Sequence, residues 1–185
     1  MARKESITID MILDTAFDMV KEEGFESVTA RRVAAAVGCS TQPIFRVYKN
    51  MEELQKAVYD RAIAYFLNYY DAAPKPSRIP FVNLGLAYIV FAKSEKNYFK
   101  LLFVEGVDDG MPMFDLLNGE KGNVVSEITR AKLMGCADPA DMFMRMWIFV
   151  HGAAAMTLTG DYDLSDEETI ALLEKTFTAF ARSKG

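Results

Sequence analysis

Cysteine, histidine and tryptophan are nearly missing from this chain: two, one and one in 185 residues. Cys39 and Cys136 form no CxxC pair, so each is expected to be a reduced, packed thiol, with no structural disulfide and no nucleophile. His151 is the lone histidine, and a lone histidine on a helix more often packs than binds metal or moves protons. Paired carboxylates, a nucleophile–base set, a glycine-rich phosphate loop and metal-ligand spacing are all wanting, which excludes the common enzyme classes; no catalytic residue, metal site or cofactor is expected. No apolar run approaches the roughly 18 residues of a membrane span. The opening MARKESITID has no apolar stretch of the kind a secretory leader needs, so a cytoplasmic protein that does not engage membranes is expected. Strand-like alternation, internal repeats and low-complexity tracts are absent as well.

What is present is apolar residue at helical spacing. Hydrophobic residues make up 51% of the chain and charged ones 25%, enough for a full core and inconsistent with disorder. Ile9, Ile12, Leu13, Ala16 and Val20 lie on one face of a helix over about Thr8–Glu23, closed by Gly24. Thr29 is placed to cap a short helix to Val37, with Val33, Ala34 and Val37 inward. Gly38-Cys39-Ser40 then makes a tight turn. Ser40 is expected to cap a third helix, Thr41 to about Tyr48, with Pro43 in its first turn. Asn50 and Glu53 form a capping-box pattern for a long fourth helix reaching about Tyr70. Three prolines between Asp71 and Pro80 end it, and helices are predicted again over about 81–94, 96–104, 114–133, 139–158 and 166–183, with a loop at 106–112. The fold class is therefore all-α, a three-helix head and a helical body, about nine helices in total. The domains are expected at 1–50 and 51–185.

The net charge of −5 argues at first against nucleic acid, but its distribution reverses the argument. From Ser27 to Met51 the chain carries Arg31, Arg32, Arg46 and Lys49 and no Asp or Glu. Arg3 and Lys4 add a small basic arm. Two short helices joined by a tight turn describe a helix-turn-helix. An ordinary three-helix mini-core would explain the apolar spacing but not the missing acids.

The segment TARRVAAAVGCSTQPIFRVYKNMEEL, Thr29 to Leu54, resembles the signature of the TetR family of transcriptional regulators, and ILDTAFDMVKEEGFESV, Ile12 to Val28, resembles that family's first helix. The resemblance implies contacts with double-stranded DNA from Thr29, Arg31, Ser40, Thr41, Gln42, Phe45, Arg46 and Lys49. Thr41 and Gln42 fall on the turn facing base edges in the major groove, where Gln42 suits adenine. Phe45 stands where the family usually has a phosphate-binding tyrosine; it cannot donate, so apolar contact replaces that bond. Pro43 and Val47 also depart from the pattern.

One recognition helix reads few base pairs, so a homodimer on a palindromic operator is expected. Gly152, Ala153, Leu173, Phe177 and Phe180 are the expected dimer interface, an ordinary intrachain core being the alternative. Trp147-x3-His151-Gly152 resembles a motif in one branch of TetR-like C-terminal domains. Tyr88, Phe91, Tyr98, Leu102, Phe103, Phe114, Met142, Met146 and Trp147 exceed what a small bundle needs. The resemblance implies that they line a pocket for a small hydrophobic effector whose binding releases DNA; a well-filled core is the bland alternative. A regulator without any ligand, or a helical protein-interaction module, remains as a second reading.

Overall fold

The computed structural model describes residues 7–105 and 124–182, which form nine α-helices and no strand. In α1 (Ile9–Glu23) the Thr8 hydroxyl accepts the Met11 N–H at 3.2 Å. Ile12, Ala16 and Val20 are fully buried, as their spacing predicts, but Ile9 is 54% exposed because the first turn extends past the core. Two elements on, α2 (Ala30–Val37) begins with the Thr29 hydroxyl accepting the Arg32 N–H. It ends in a Schellman motif. Gly38, at φ 78°, donates to the Ala35 carbonyl and Cys39 to the Ala34 carbonyl. That left-handed residue turns the chain into α3 (Gln42–Val47).

The start of α3 corrects one expectation. Ser40 does not cap it; the helix begins at Gln42, after Thr41 in a helical conformation with no side-chain cap. Pro43 in the first turn has no N–H to satisfy, and the Thr41 carbonyl accepts the next two donors, Ile44 and Phe45. The capping pattern at α4 (Met51–Ala72) is present with one change. Asn50 Oδ1 accepts the Glu53 N–H at 3.0 Å, but the Glu53 carboxylate accepts the N–H of Lys49 at 2.6 Å.

After the prolines come α5 (Pro80–Ser94), α6 (Lys96–Lys100) with one π-helical turn at Leu101–Glu105, α7 (Val124–Leu133), α8 (Pro139–Thr159) and α9 (Asp166–Arg182). The helix predicted from 114 is described only from 124; Phe114, the 106–112 loop and the Arg3/Lys4 arm lie outside the described residues. Asp138 caps α8, and Ser165 and Glu168 cap each other at α9 in a reciprocal box.

The described residues form two compact units, 7–65 with 97–105 and 66–96 with 124–182. In the first, Ile12, Val20, Val33, Ile44 and Leu54 make a sealed core. The unit reaches well past residue 50, because side chains from 97–105 are tied to α1. Tyr98 stacks on Phe17 at 4.5 Å and donates to its carbonyl, and Asn97 donates to the Lys21 carbonyl at 2.8 Å. In the second, α5 is buried on every side from Pro80 to Ile89. Gly85 is the point of closest approach: a Cβ there would lie 2.8 Å from Val150 Cγ2 and 3.2 Å from Leu173 Cδ1. Both cysteines are free thiols, and no helix among the described residues is long and apolar enough to cross a membrane.

Candidate functional site

The surface of the head follows from which side chains its core uses up. On α3, Ile44 is fully buried and Tyr48, just after it, is nearly so; Gln42, Phe45 and Arg46 face outward. Burial, with Asp10 and Glu53 adding to it, holds the Tyr48 phenol above its usual range, so it stays neutral beneath this surface. Thr29, Arg31, Ser40, Thr41 and Lys49 are exposed as well. The structure thus leaves all eight sequence-predicted DNA contacts accessible on one compact unit.

The four cations of the acid-free window are not equivalent. Arg32 gives its guanidinium to the Glu23 carboxylate at 2.5 Å. Arg31, Arg46 and Lys49 form no ion pair among the described residues, so their charge remains available to an anion. Lys49 is also fixed through its backbone, since Glu53 accepts its N–H. One uncommitted side chain is apolar: Phe45 is 45% exposed on the outward face of α3. Aromatic carbon left open between Gln42 and Arg46 suits a thymine methyl or a sugar better than water.

The body presents a different chemistry. Tyr88 and Phe91 on α5 and Met142 and Met146 on α8 are buried, with Trp147 half-buried against Tyr88 at 4.7 Å. The Tyr88 hydroxyl and His151 Nδ1 share a hydrogen bond at 2.9 Å; burial raises the phenol and lowers the imidazole, which favours a neutral pair. The crevice among Leu84, Met146, Trp147 and Val150 measures only about 10 Å³, barely one water. Tyr98, Leu102 and Phe103 lie in the other compact unit, so the predicted pocket set is divided between the two.

Two family models match the chain. Bacterial regulatory proteins of the tetR family match residues 12–58, and the tetracyclin repressor-like C-terminal domain matches residues 81–180, more than half the sequence. The chain belongs to the TetR family. No curated relative matches it. Solved structures share its fold at low identity. A protein described as a TetR-family transcriptional regulator from Vibrio parahaemolyticus has a TM-score of 0.67 at 19% identity, covering 92% of this chain and 97% of its own. The fatty acid degradation regulator FadR from Bacillus halodurans has a TM-score of 0.63 at 12% identity, covering 98% of both chains. FadR from Bacillus subtilis, solved with stearoyl-CoA, has a TM-score of 0.59 at 12% identity, covering 96% of this chain and all of its own.

As a TetR-family regulator, the protein carries its DNA-binding helix-turn-helix in the head just described. The residues expected at a dimer interface are placed less uniformly. Gly152 is exposed and Phe177 and Phe180 are half-buried, but Leu173 is fully buried against Gly85 and Ala153 is buried too. Among the apolar side chains this TetR-family chain leaves exposed, three lie on α8 in register with Gly152 and are absent from the sequence-predicted interface: Met144 at 43%, Ile148 at 68% and Met156 at 46% exposure. Their spacing of four, with Gly152 in the same register, is visible in the sequence.

Proposed function

We propose that the protein is a cytoplasmic homodimeric repressor that binds a palindromic operator and is released by a small-molecule effector. It does no chemistry of its own. Residues 1–50 serve as the DNA-binding part, and 51–185 as the ligand-binding and dimerisation part. The observation that carries the reading is the acid-free stretch from Ser27 to Met51, in which Arg31, Arg46, Lys49, Gln42 and Phe45 are exposed and the first three form no ion pair among the described residues. Lys49, Arg31 and Thr29 hold phosphates, Ser40 and Arg46 add contacts at the margin, and Thr41, Gln42 and Phe45 meet base edges.

Dimerisation rests on the α8 stripe. Met144, Ile148, Gly152 and Met156 repeat every fourth residue and stay exposed, and glycine within the stripe permits close approach of a second helix. Two heads then read half-sites about 34 Å apart. An effector that prefers a different state of the dimer weakens DNA binding by its differential affinity for the two states. The stearoyl-CoA complex of the Bacillus subtilis neighbour supports a ligand for this fold, though not that ligand here. One observation favours a regulator without a ligand in its aromatic core: the crevice there is too small for anything beyond water.

Selection of bound duplexes from a randomised pool tests the reading. An inverted repeat recovered with half-sites about 10 base pairs apart supports it. Recovery of no preferred sequence, or of an unrepeated half-site by a monomer, contradicts it.

A further inference from the structure

Uncovered apolar carbon in the second unit is not confined to the α8 stripe. A cleft of about 630 Å³ opens between the start of α5, the turn from α7 into α8 and the last turns of α9. Ile79, Met142, Phe177 and Phe180 line it, with Ala137 and Ala181 exposed at its edge. Sites for small molecules span about 300–1,000 Å³ and are mostly apolar with a few placed polar groups. This cleft fits that description, whereas the crevice in the aromatic core does not.

The charges along the cleft decide what fits. They are Asp138, Asp141 and Arg145. Arg145 Nε donates to Asp141 Oδ2 at 2.7 Å, and Asp138 Oδ1 accepts the Asp141 N–H at 3.0 Å as the cap of α8. An anionic head would compete with Asp141 for Arg145 and face two carboxylates. The N-terminal end of α8 contributes roughly half a positive charge, which offsets only part of this. A cationic head meets net negative charge, and two phenylalanine rings line the same space.

We infer that this cleft is a binding site for a hydrophobic cation, an apolar body carrying an ammonium-like head, and that it is where the effector enters. The inference rests on the effector reading proposed above and moves its site from the aromatic core to the α5–α8–α9 cleft. The same turns of α8 that carry Met142 and Arg145 toward the cleft also carry Met144 and Ile148 on the uncovered stripe. A ligand here therefore sits beside the surface proposed for dimerisation.

Dodecyltrimethylammonium and dodecanoate, equal chains of opposite charge, test it by calorimetric titration of the full chain below their micellar concentrations. The cation is expected to bind at least tenfold more tightly. Ala137→Trp and Ala181→Trp, both at exposed positions, fill the cleft and should each weaken it about tenfold or more, equivalent to roughly 1.4 kcal/mol. Asp138→Asn keeps the helix cap, removes the charge, and should weaken the cation severalfold while sparing dodecanoate. Val150→Ala enlarges the core crevice and should leave binding unchanged. In a Cys39→Ser background the bound cation should slow alkylation of Cys136, which also lines the cleft. Equal or tighter binding of dodecanoate overturns the inference. So does binding indifferent to both tryptophans, or no binding of the cation. If the cation binds in the cleft but operator affinity does not change, the site stands and effector release falls. If another compound releases DNA equally from the Ala137→Trp protein, the effector reading stands and the cleft falls.

Discussion

The head and the body leave opposite kinds of surface uncovered. On the head the exposed residues of the acid-free window are cations, amides, hydroxyls and small residues, with Phe45 as the one large apolar side chain among them. On α8 they are Met144, Ile148 and Met156. Both regions are helices with sealed cores, so the difference lies in what each core leaves over. A cation left without a carboxylate costs little in water and awaits an anion. Apolar carbon left in register along a helix stays costly until another apolar face covers it. The comparison teaches that exposed surface carries the functional signal here, and that it must be read by charge on one unit and by hydropathy on the other.

The largest expected effect breaks the second half of that comparison. Ile148→Glu buries a charge in the proposed dimer interface and should raise the dimer dissociation constant about a hundredfold, roughly 2.7 kcal/mol, by sedimentation equilibrium. At 68% exposure the residue contributes little to the fold, so helicity should be unchanged. An unaltered dimer would remove the α8 stripe from the interface.

Gly85→Ala comes next and acts inside the body. Its Cβ would stand 2.8 Å from Val150, and overpacking of this kind costs about 1–3 kcal/mol. Denaturant unfolding should show that loss; wild-type stability would mean that Val150 and Leu173 give way freely.

The third prediction sharpens the head. Arg31→Ala should weaken operator binding about tenfold, whereas Arg32→Ala, whose charge is already committed to Glu23, should cost distinctly less. Equal losses at the two positions would show that the ion pair does not set availability.

The smallest concerns the pair joining α5 to α8. Tyr88→Phe should cost roughly 1 kcal/mol by removing the bond to His151. Because burial lowers the His151 pKa from 6.5, the unfolded chain binds the extra proton, so this contribution is present above pH 6.5 and is lost as pH falls below it. His151→Phe should flatten the stability profile in that window; an unchanged slope would assign it to other groups.

Local features were legible in the sequence because their causes are local. Thr29 caps the helix it precedes, Asn50 accepts the Glu53 N–H at the start of α4, and Gly38 takes the left-handed turn residue of the helix-turn-helix. Ser40 does not cap α3, because Pro43 removes the donor such a cap would serve. Long-range features were not legible. Nothing in Asn97 or Tyr98 states that their partners are Lys21 and Phe17, more than seventy positions earlier in the chain. Period alone gives α8 and α9 apolar faces, but it does not say that Leu173 is covered by α5 while Ile148 is left open. The aromatic count does not state how much space the rings leave; the crevice beside Met146 and Trp147 measures only about 10 Å³.

The central claim is that the head binds phosphate and bases through cations its own carboxylates leave free. Fluorescence anisotropy against selected operator DNA across a range of salt measures this most directly, for the wild type and for Lys49→Ala. The account predicts a steep fall of log K with log salt, and a slope shallower by roughly 0.9 per subunit in the variant for the phosphate lost. Sequence-specific binding with no salt dependence, or a slope that Lys49→Ala leaves unchanged together with Arg31→Ala, would contradict it.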